Sequence, residues 1–157
     1  MSDFIEAGLL IPAAPDAVWK VVADFRRFAE WLPVKADIHF PDGMEAKVGV
    51  VVHVERESGM GRVHFEQVFD RVEEPKLLGW SNRNEMLGRK PITQIKEFKT
   101  ALTLDPTPDG KTLLKIRSEW TPVGMMGAVA NNFMKPRLKQ EYEAALKNIA
   151  RLATAAS

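Results

Sequence analysis

Few groups in this chain could do chemistry. It has no cysteines, so disulfides and thiolate chemistry are excluded. His39, His53 and His64 are its only histidines. His53 and His64 lie on two neighbouring runs, 48–55 and 62–69, in which apolar residues alternate with period two. A tight turn at Ser58-Gly59 would set Val54 opposite Val63, Val52 opposite Phe65, His53 opposite His64 and Glu55 opposite Arg62. Paired imidazoles suit a metal, with Glu55 or Glu66 as a third ligand. The alternation, however, puts both histidines on the outward face, and no metal site is expected. There is no HExxH pair and no GxSxG nucleophile elbow. Gly124-Met125-Met126-Gly127 lacks the spacing of a phosphate loop. It reads as a flexible helix entry or as an adaptable apolar lid over a mouth.

The side chains expected to face inward are more informative. They are Phe65, Phe69, Trp80, Phe98, Leu102, Ile116 and Trp120, interspersed with Gln67, Asn82, Thr100 and Ser118. An apolar wall with a few placed polar groups is the composition of a small-molecule site. Gln67 is expected to satisfy Asn82 and Thr100 to satisfy Ser118, or else water or a ligand completes them. Glu97 and Glu119 fall on the outer face, which argues against acid–base work by a buried carboxylate.

Two kinds of element must position these groups. The strands come as hairpins. A tip at Glu74-Pro75 sets Phe69 opposite Trp80 and Gln67 opposite Asn82, and residues 83–91 are expected to be a loop. The turn-rich stretch 105–111 pairs Ile92–Leu104 with Thr112–Trp120. That register places Leu104 opposite Leu114, Leu102 opposite Ile116, Thr100 opposite Ser118 and Phe98 opposite Trp120, with Lys99 and Glu119 together on the charged side. The last third is a long amphipathic helix. Met126, Val129, Phe133, Leu138, Tyr142, Ala145, Ile149 and Leu152 form its apolar stripe, while Lys135, Lys139, Glu143, Lys147 and Arg151 face solvent. Pro136 should bend it or start a second segment. A strand at 4–11 and two short helices, one from Ala14 or Pro15 and one ending at Pro33, precede the hairpins. A sheet of about six strands does not stay flat. Bent around the helix, it leaves a cavity at the wide end, near Met125-Met126, with Phe133 facing it from the helix.

Composition fits one soluble domain over residues 1–157. The net charge is +1 from 22 basic and 21 acidic residues, which gives no nucleic-acid signal. No run approaches the roughly 20 apolar residues of a membrane span, and the N-terminus does not read as a signal peptide, so a cytoplasmic protein is expected.

Pro12-Ala13-Ala14-Pro15-Asp16-Ala17-Val18-Trp19, then Ala23-Asp24-Phe25 and Trp31-Leu32-Pro33, resemble the opening of the START-like (SRPBCC) superfamily, in its polyketide cyclase/dehydrase-like branch. Val48-Gly49, Val72-Glu73-Glu74-Pro75 with Leu78 and Trp80, Pro108-Asp109-Gly110-Lys111-Thr112 and the long terminal helix continue the likeness over nearly the whole chain. The resemblance implies an α+β helix-grip fold, a curved antiparallel sheet of six to seven strands around a long C-terminal helix. It also implies an internal cavity for a small apolar molecule, with no cofactor and no shared catalytic signature. The expected function is binding of a lipid or polyketide-like ligand by Phe65, Gln67, Phe69, Trp80, Asn82, Phe98, Thr100, Ile116, Ser118, Trp120, Met125, Met126, Val129 and Phe133. A cyclase, aromatase or dehydratase using the same cavity is the alternative, and a protein-interaction module a third. The first two differ in whether an acid or base lines the cavity.

Overall fold

The computed structural model describes residues 2–40, 46–58 and 61–155. Strand β1 (Asp3–Ile11) leads into α1 (Pro15–Val22), a short 3-10 turn (Phe25–Arg27) and α2 (Phe28–Trp31). Strands β2 (Ala36–His39), β3 (Val51–Ser58), β4 (Gly61–Glu73), β5 (Leu77–Leu87), β6 (Lys90–Pro91), β7 (Ile95–Pro106) and β8 (Thr112–Pro122) follow, and α3 (Gly124–Ala155) closes the chain. Among the described residues the strands form one eight-stranded antiparallel sheet in the order β1-β8-β7-β5-β4-β3-β2, with β6 on β5. Pro15 stands in the first turn of α1, where its missing N–H is no loss. Asp24 caps the 3-10 turn by accepting from the Arg26 N–H at 3.0 Å. This is the α+β helix-grip architecture, with the sheet wrapped around one long helix.

Two hairpins take the expected register. Phe69 pairs with Trp80 and Gln67 with Asn82. Leu104 pairs with Leu114, Leu102 with Ile116 and Thr100 with Ser118. The Phe98 and Trp120 rings stack with centroids 5.6 Å apart, and Lys99 and Glu119 approach to 3.6 Å on the other face.

Several expectations need correction. In the β3–β4 pair, Val54 lies opposite Phe65, Val52 opposite Gln67, Glu55 opposite His64 and His53 opposite Glu66. This is a slip of two residues from the Ser58-Gly59 register. A slip of two keeps every side chain on its face, so the inward set survives and the histidine pairing does not. Ser58 pairs with Gly61, and the connection between them, where the expected turn falls, lies outside the described residues. Residues 83–91 are not a loop, because β5 runs on to Leu87 and turns back into β6. Strand β2, unforeseen, adds an edge beside β3 and sets His39 opposite His53. Helix α3 is one helix through Pro136, with no second segment.

The apolar stripe of α3 also shifts. Its C-terminal half is buried as expected at Leu138, Ala145, Ile149 and Leu152, with Leu146 and Ala153 buried beside them. In the first half the inward side is Gly127, Ala130 and Met134, whereas Met125 (88% exposed), Met126 (69%) and Val129 (64%) face solvent. The inward positions 127, 130, 134, 138, 142, 145, 149 and 152, buried or half-buried, recur at three and four without a break, as one helical face must. The expected stripe steps by five from Phe133 to Leu138.

A polar network pins this first half to β1 and β8. Trp120 Nε1 donates to Asn131 Oδ1 at 2.6 Å, and Asn131 Nδ2 donates to Asp3 Oδ2 at 2.7 Å. Lys135 Nζ reaches Asp3 Oδ1 at 2.9 Å, so Lys135 is not on a purely solvated face. The Asn131 and Lys135 hydrogen bonds hold the Asp3 carboxyl down at about 2. A carboxylate with a lowered pKa stabilises the fold above its ordinary value of 3.8, and that stabilisation is lost as pH falls toward 2. Asp3→Asn should therefore lower the melting temperature at pH 6 and make little difference near pH 2, as acid-titrated thermal melts would read.

Candidate functional site: a cavity between sheet and helix

A cavity of about 250 Å³ lies between the concave face of the sheet and α3. Phe28, Trp31, Leu32 and Pro33 close it at the α2 end, and Ala130, Phe133, Met134, Leu138 and Tyr142 come from α3. Of the residues expected to bind ligand, Phe65, Gln67, Trp80, Asn82, Phe98, Thr100, Ile116 and Phe133 line this space. Phe69 lies behind the wall, packed on Trp80 with ring centroids 5.5 Å apart. Ser118 is buried one layer back. Trp120 packs with Ile5, Ile95 and Leu138 in a satellite core. Met125, Met126 and Val129 do not reach the cavity, because the helix phase points them outward. Phe133 borders it but is 54% exposed, so Phe133→Ala should cost about 1 kcal/mol or less, well below the cost of emptying a packed core position.

Two β-bulges set the wall chemistry. The β4–β5 register shifts by one between His64–Met86 and Glu66–Arg83, with Asn84 in the left-handed region at φ 53°. The extra residue reverses the alternation beyond it. Trp80 and Asn82 face inward before the bulge and Glu85 after it, and Glu85 lines the cavity. A second bulge in β7, with Glu97 at φ 57°, shifts the β7–β8 register between Lys96 and Lys99. It lets Ile95 face inward as Phe98 does. Contrary to the expectation from sequence, then, a carboxyl does face the cavity. Burial pushes the Glu85 carboxyl up, opposed by one hydrogen bond from the Asn82 side chain.

The other polar groups fall into two sets. In the closed set, Thr100 and Ser118 share a hydrogen bond at 2.6 Å, and Ser118 bonds the Tyr142 hydroxyl. Burial pushes the Tyr142 phenol up. Arg56 Nη2 donates to both Glu141 oxygens at 2.7 Å, tying β3 to α3 at the cavity. In the open set, Trp31 Nε1, Gln67 Oε1 and Asn82 Oδ1 are buried with no partner. So Thr100 satisfies Ser118 as expected, but Gln67 does not complete Asn82.

The histidines sit on the outer face. His53 Nε2 lies 3.7 Å from Glu66, and His64 Nε2 lies 2.9 Å from the Gly88 carbonyl. Glu66 is taken up by Arg83 at 3.0 Å and by Asn84. Among the described residues no three His, Asp or Glu side chains are grouped to hold a metal, and no helix is long and apolar enough to cross a membrane.

The raised Glu85 carboxyl has a measurable consequence. A group whose pKa folding raises costs stability as pH rises above its unfolded value, about 4.5, through its folded value. Glu85→Gln should raise the melting temperature at pH 8 and make no difference at pH 4. A variant as stable as wild type at both pH values would contradict the burial of this carboxyl.

A sheet that grips one helix over a partly open, mainly apolar space defines a helix-grip protein built around a cavity. The chain belongs to the polyketide cyclase / dehydrase and lipid transport family, whose sequence model matches residues 5–154, and so to the START-like superfamily it resembles. No curated protein matches the sequence. Among solved structures, the Zhui aromatase/cyclase from Streptomyces sp. R1128 superposes with a TM-score of 0.77 at 14% identity, over 98% of this chain and 94% of that one. TTHA0849 from Thermus thermophilus gives 0.74 at 14% identity over 99% of each chain. Truncated norcoclaurine synthase from Thalictrum flavum gives 0.71 at 15% identity, over 97% and 93%. At these identities the likeness is one of fold.

Proposed function

We propose that the protein binds a small, mainly apolar molecule of lipid or polyketide-like character in the cavity between sheet and α3. The carrying observation is the open set, since three buried polar atoms without partners surround a space that side chains leave unfilled. Each unpaired group costs roughly 1–3 kcal/mol, and a ligand or water that pairs it recovers part of that cost. A single domain spanning residues 1–157 is the unit of this function. A cytoplasmic location belongs to the same proposal and is supported by a chain without cysteines.

Glu85 favours a second reading, a cyclase, aromatase or dehydratase acting on a polyketide-like substrate. A carboxyl whose pKa is raised by burial holds its proton to higher pH than a free one and can pass it to a carbonyl or a leaving hydroxyl. A thermal-shift screen of aromatic polyketides, fatty acids and sterols tests the binding reading. A true ligand at one hundred times its dissociation constant should stabilise the protein by about 2.7 kcal/mol, and no shift with any class would sink it. Turnover of a bound compound by wild type, lost in Glu85→Gln while binding persists, would establish the enzyme reading. Binding without turnover would leave the protein a binder.

A further inference from the structure

The open polar atoms are segregated by kind, acceptors on one wall and a donor on the other, and their arrangement forms a template. Gln67 and Asn82 are cross-strand partners on β4 and β5, and both leave a buried oxygen unpaired. The Asn82 side chain lies beside Glu85 and lowers its carboxyl pKa against the effect of burial, while the Asn82 oxygen is left without a partner. Glu85 lies beyond the bulge on the same strand, and no salt bridge reaches it among the described residues. This wall therefore presents two amide oxygens as acceptors, with the Glu85 carboxyl beside them, a donor when protonated and acceptor-only when ionised. The α2 side presents the opposite. Trp31 is 2% exposed, and its indole N–H, which can only donate, has no partner. Phe28 and Trp80 lie between the two, with ring centroids 5.2 Å from Trp31 to Phe28 and 6.3 Å from Phe28 to Trp80. The hydroxyls of Thr100, Ser118 and Tyr142 bond one another and do not add to this demand.

Building on the apolar-ligand reading, we infer that the cavity selects a flat apolar body with a hydrogen-bond donor, a hydroxyl or an amine, directed at Gln67, Asn82 and Glu85, and a carbonyl oxygen directed at Trp31 Nε1. A plain hydrocarbon chain leaves all these groups unpaired. Two donor chemistries meet the β4–β5 wall. A hydroxyl needs only the amide oxygens, whereas an ammonium also needs Glu85 as its counter-ion.

Matched naphthalene probes separate these outcomes, with dissociation constants measured by calorimetry on the full-length protein. 2-Naphthol should bind about tenfold more tightly than 2-methoxynaphthalene, the effect of one hydrogen bond to an otherwise unpaired buried group. 6-Acetyl-2-naphthol should gain about another tenfold, and Trp31→Phe should erase that second gain alone. If 2-(aminomethyl)naphthalene binds more tightly than 2-naphthol and Glu85→Gln removes the advantage, the donor is an ammonium; the reverse order makes it a hydroxyl. Equal affinity for 2-naphthol and 2-methoxynaphthalene overturns the inference while leaving the apolar-ligand reading standing. Failure of every naphthalene probe to bind overturns the inference too, and the apolar-ligand reading falls with it only if fatty acids and sterols also fail to shift the melting temperature. The wild-type ranking decides by itself, so a poorly folded variant does not change the outcome.

Discussion

Phe69→Ala is expected to cost about 3–5 kcal/mol, the range for deleting a fully buried aromatic ring. Phe69 is 0% exposed. Its ring centroid lies 5.2 Å from that of Phe25, 5.5 Å from Trp80 and 6.3 Å from Phe28, so it is the piece on which the cavity's aromatic wall rests. The loss corresponds to a fall in melting temperature of roughly 10 °C for a chain of this size. Because Phe28 and Trp80 line the cavity, the space vacated behind them becomes available to it. A larger apolar ligand that fails to stabilise wild type should then stabilise the variant. A melting temperature within about 2 °C of wild type, the shift expected of about 1 kcal/mol or less, would contradict the placement of this ring at the centre of the core.

Gly127→Ala is the second large effect. A Cβ built at Gly127 would lie 2.6 Å from the Gln94 carbonyl oxygen and 3.2 Å from the Pro122 carbonyl carbon. Both are backbone atoms, and Gln94 is held by a 2.8 Å hydrogen bond from the Val123 N–H, so neither can rotate away. Alanine gains about 1 kcal/mol in helix propensity, but a methyl forced into a packed contact costs about 1–3 kcal/mol. The expected result is a net loss of stability with a displaced start of α3. Ala130 and Met134, on the same turns, line the cavity as Gln94 does, so weaker probe binding should accompany the loss. A Gly127→Ala protein more stable than wild type would show that this contact yields easily.

The parts of the site that are legible in sequence rest on alternation and on turns with strong signals. The Glu74-Pro75 tip and the stretch 105–111 set two hairpins in register, and from them Trp80, Asn82, Phe98, Thr100 and Ile116 can be placed on the cavity wall. Glu85 and Ile95 cannot. Each turns inward through a bulge centred on a non-glycine residue, Asn84 or Glu97, and neither residue announces a left-handed backbone as glycine would. The β3–β4 slip is invisible in sequence because a shift of two residues preserves the hydrophobic pattern. The helix phase is readable in principle. The step of five from Phe133 to Leu138 breaks helical spacing, and counting back from Leu138 by fours and threes gives Met134, Ala130 and Gly127. Small residues at 127 and 130 hide the buried face, while the larger Met126, Val129 and Phe133 draw attention to the exposed one. Trp31 reads as packing and is that, but its unpaired N–H depends on which partners the fold denies it.

Methyl NMR on protein labelled at the methionine methyls tests the central claim most directly. Met134 lines the cavity, whereas Met125 and Met126, on the same helix, face solvent. Titration with 6-acetyl-2-naphthol, and separately with decanoic acid, should shift the Met134 methyl to saturation with at least one of the two while the Met125 and Met126 signals stay nearly fixed. Shifts confined to Met125 and Met126, with Met134 unmoved, would place apolar binding on the helix surface and contradict a ligand held inside the grip.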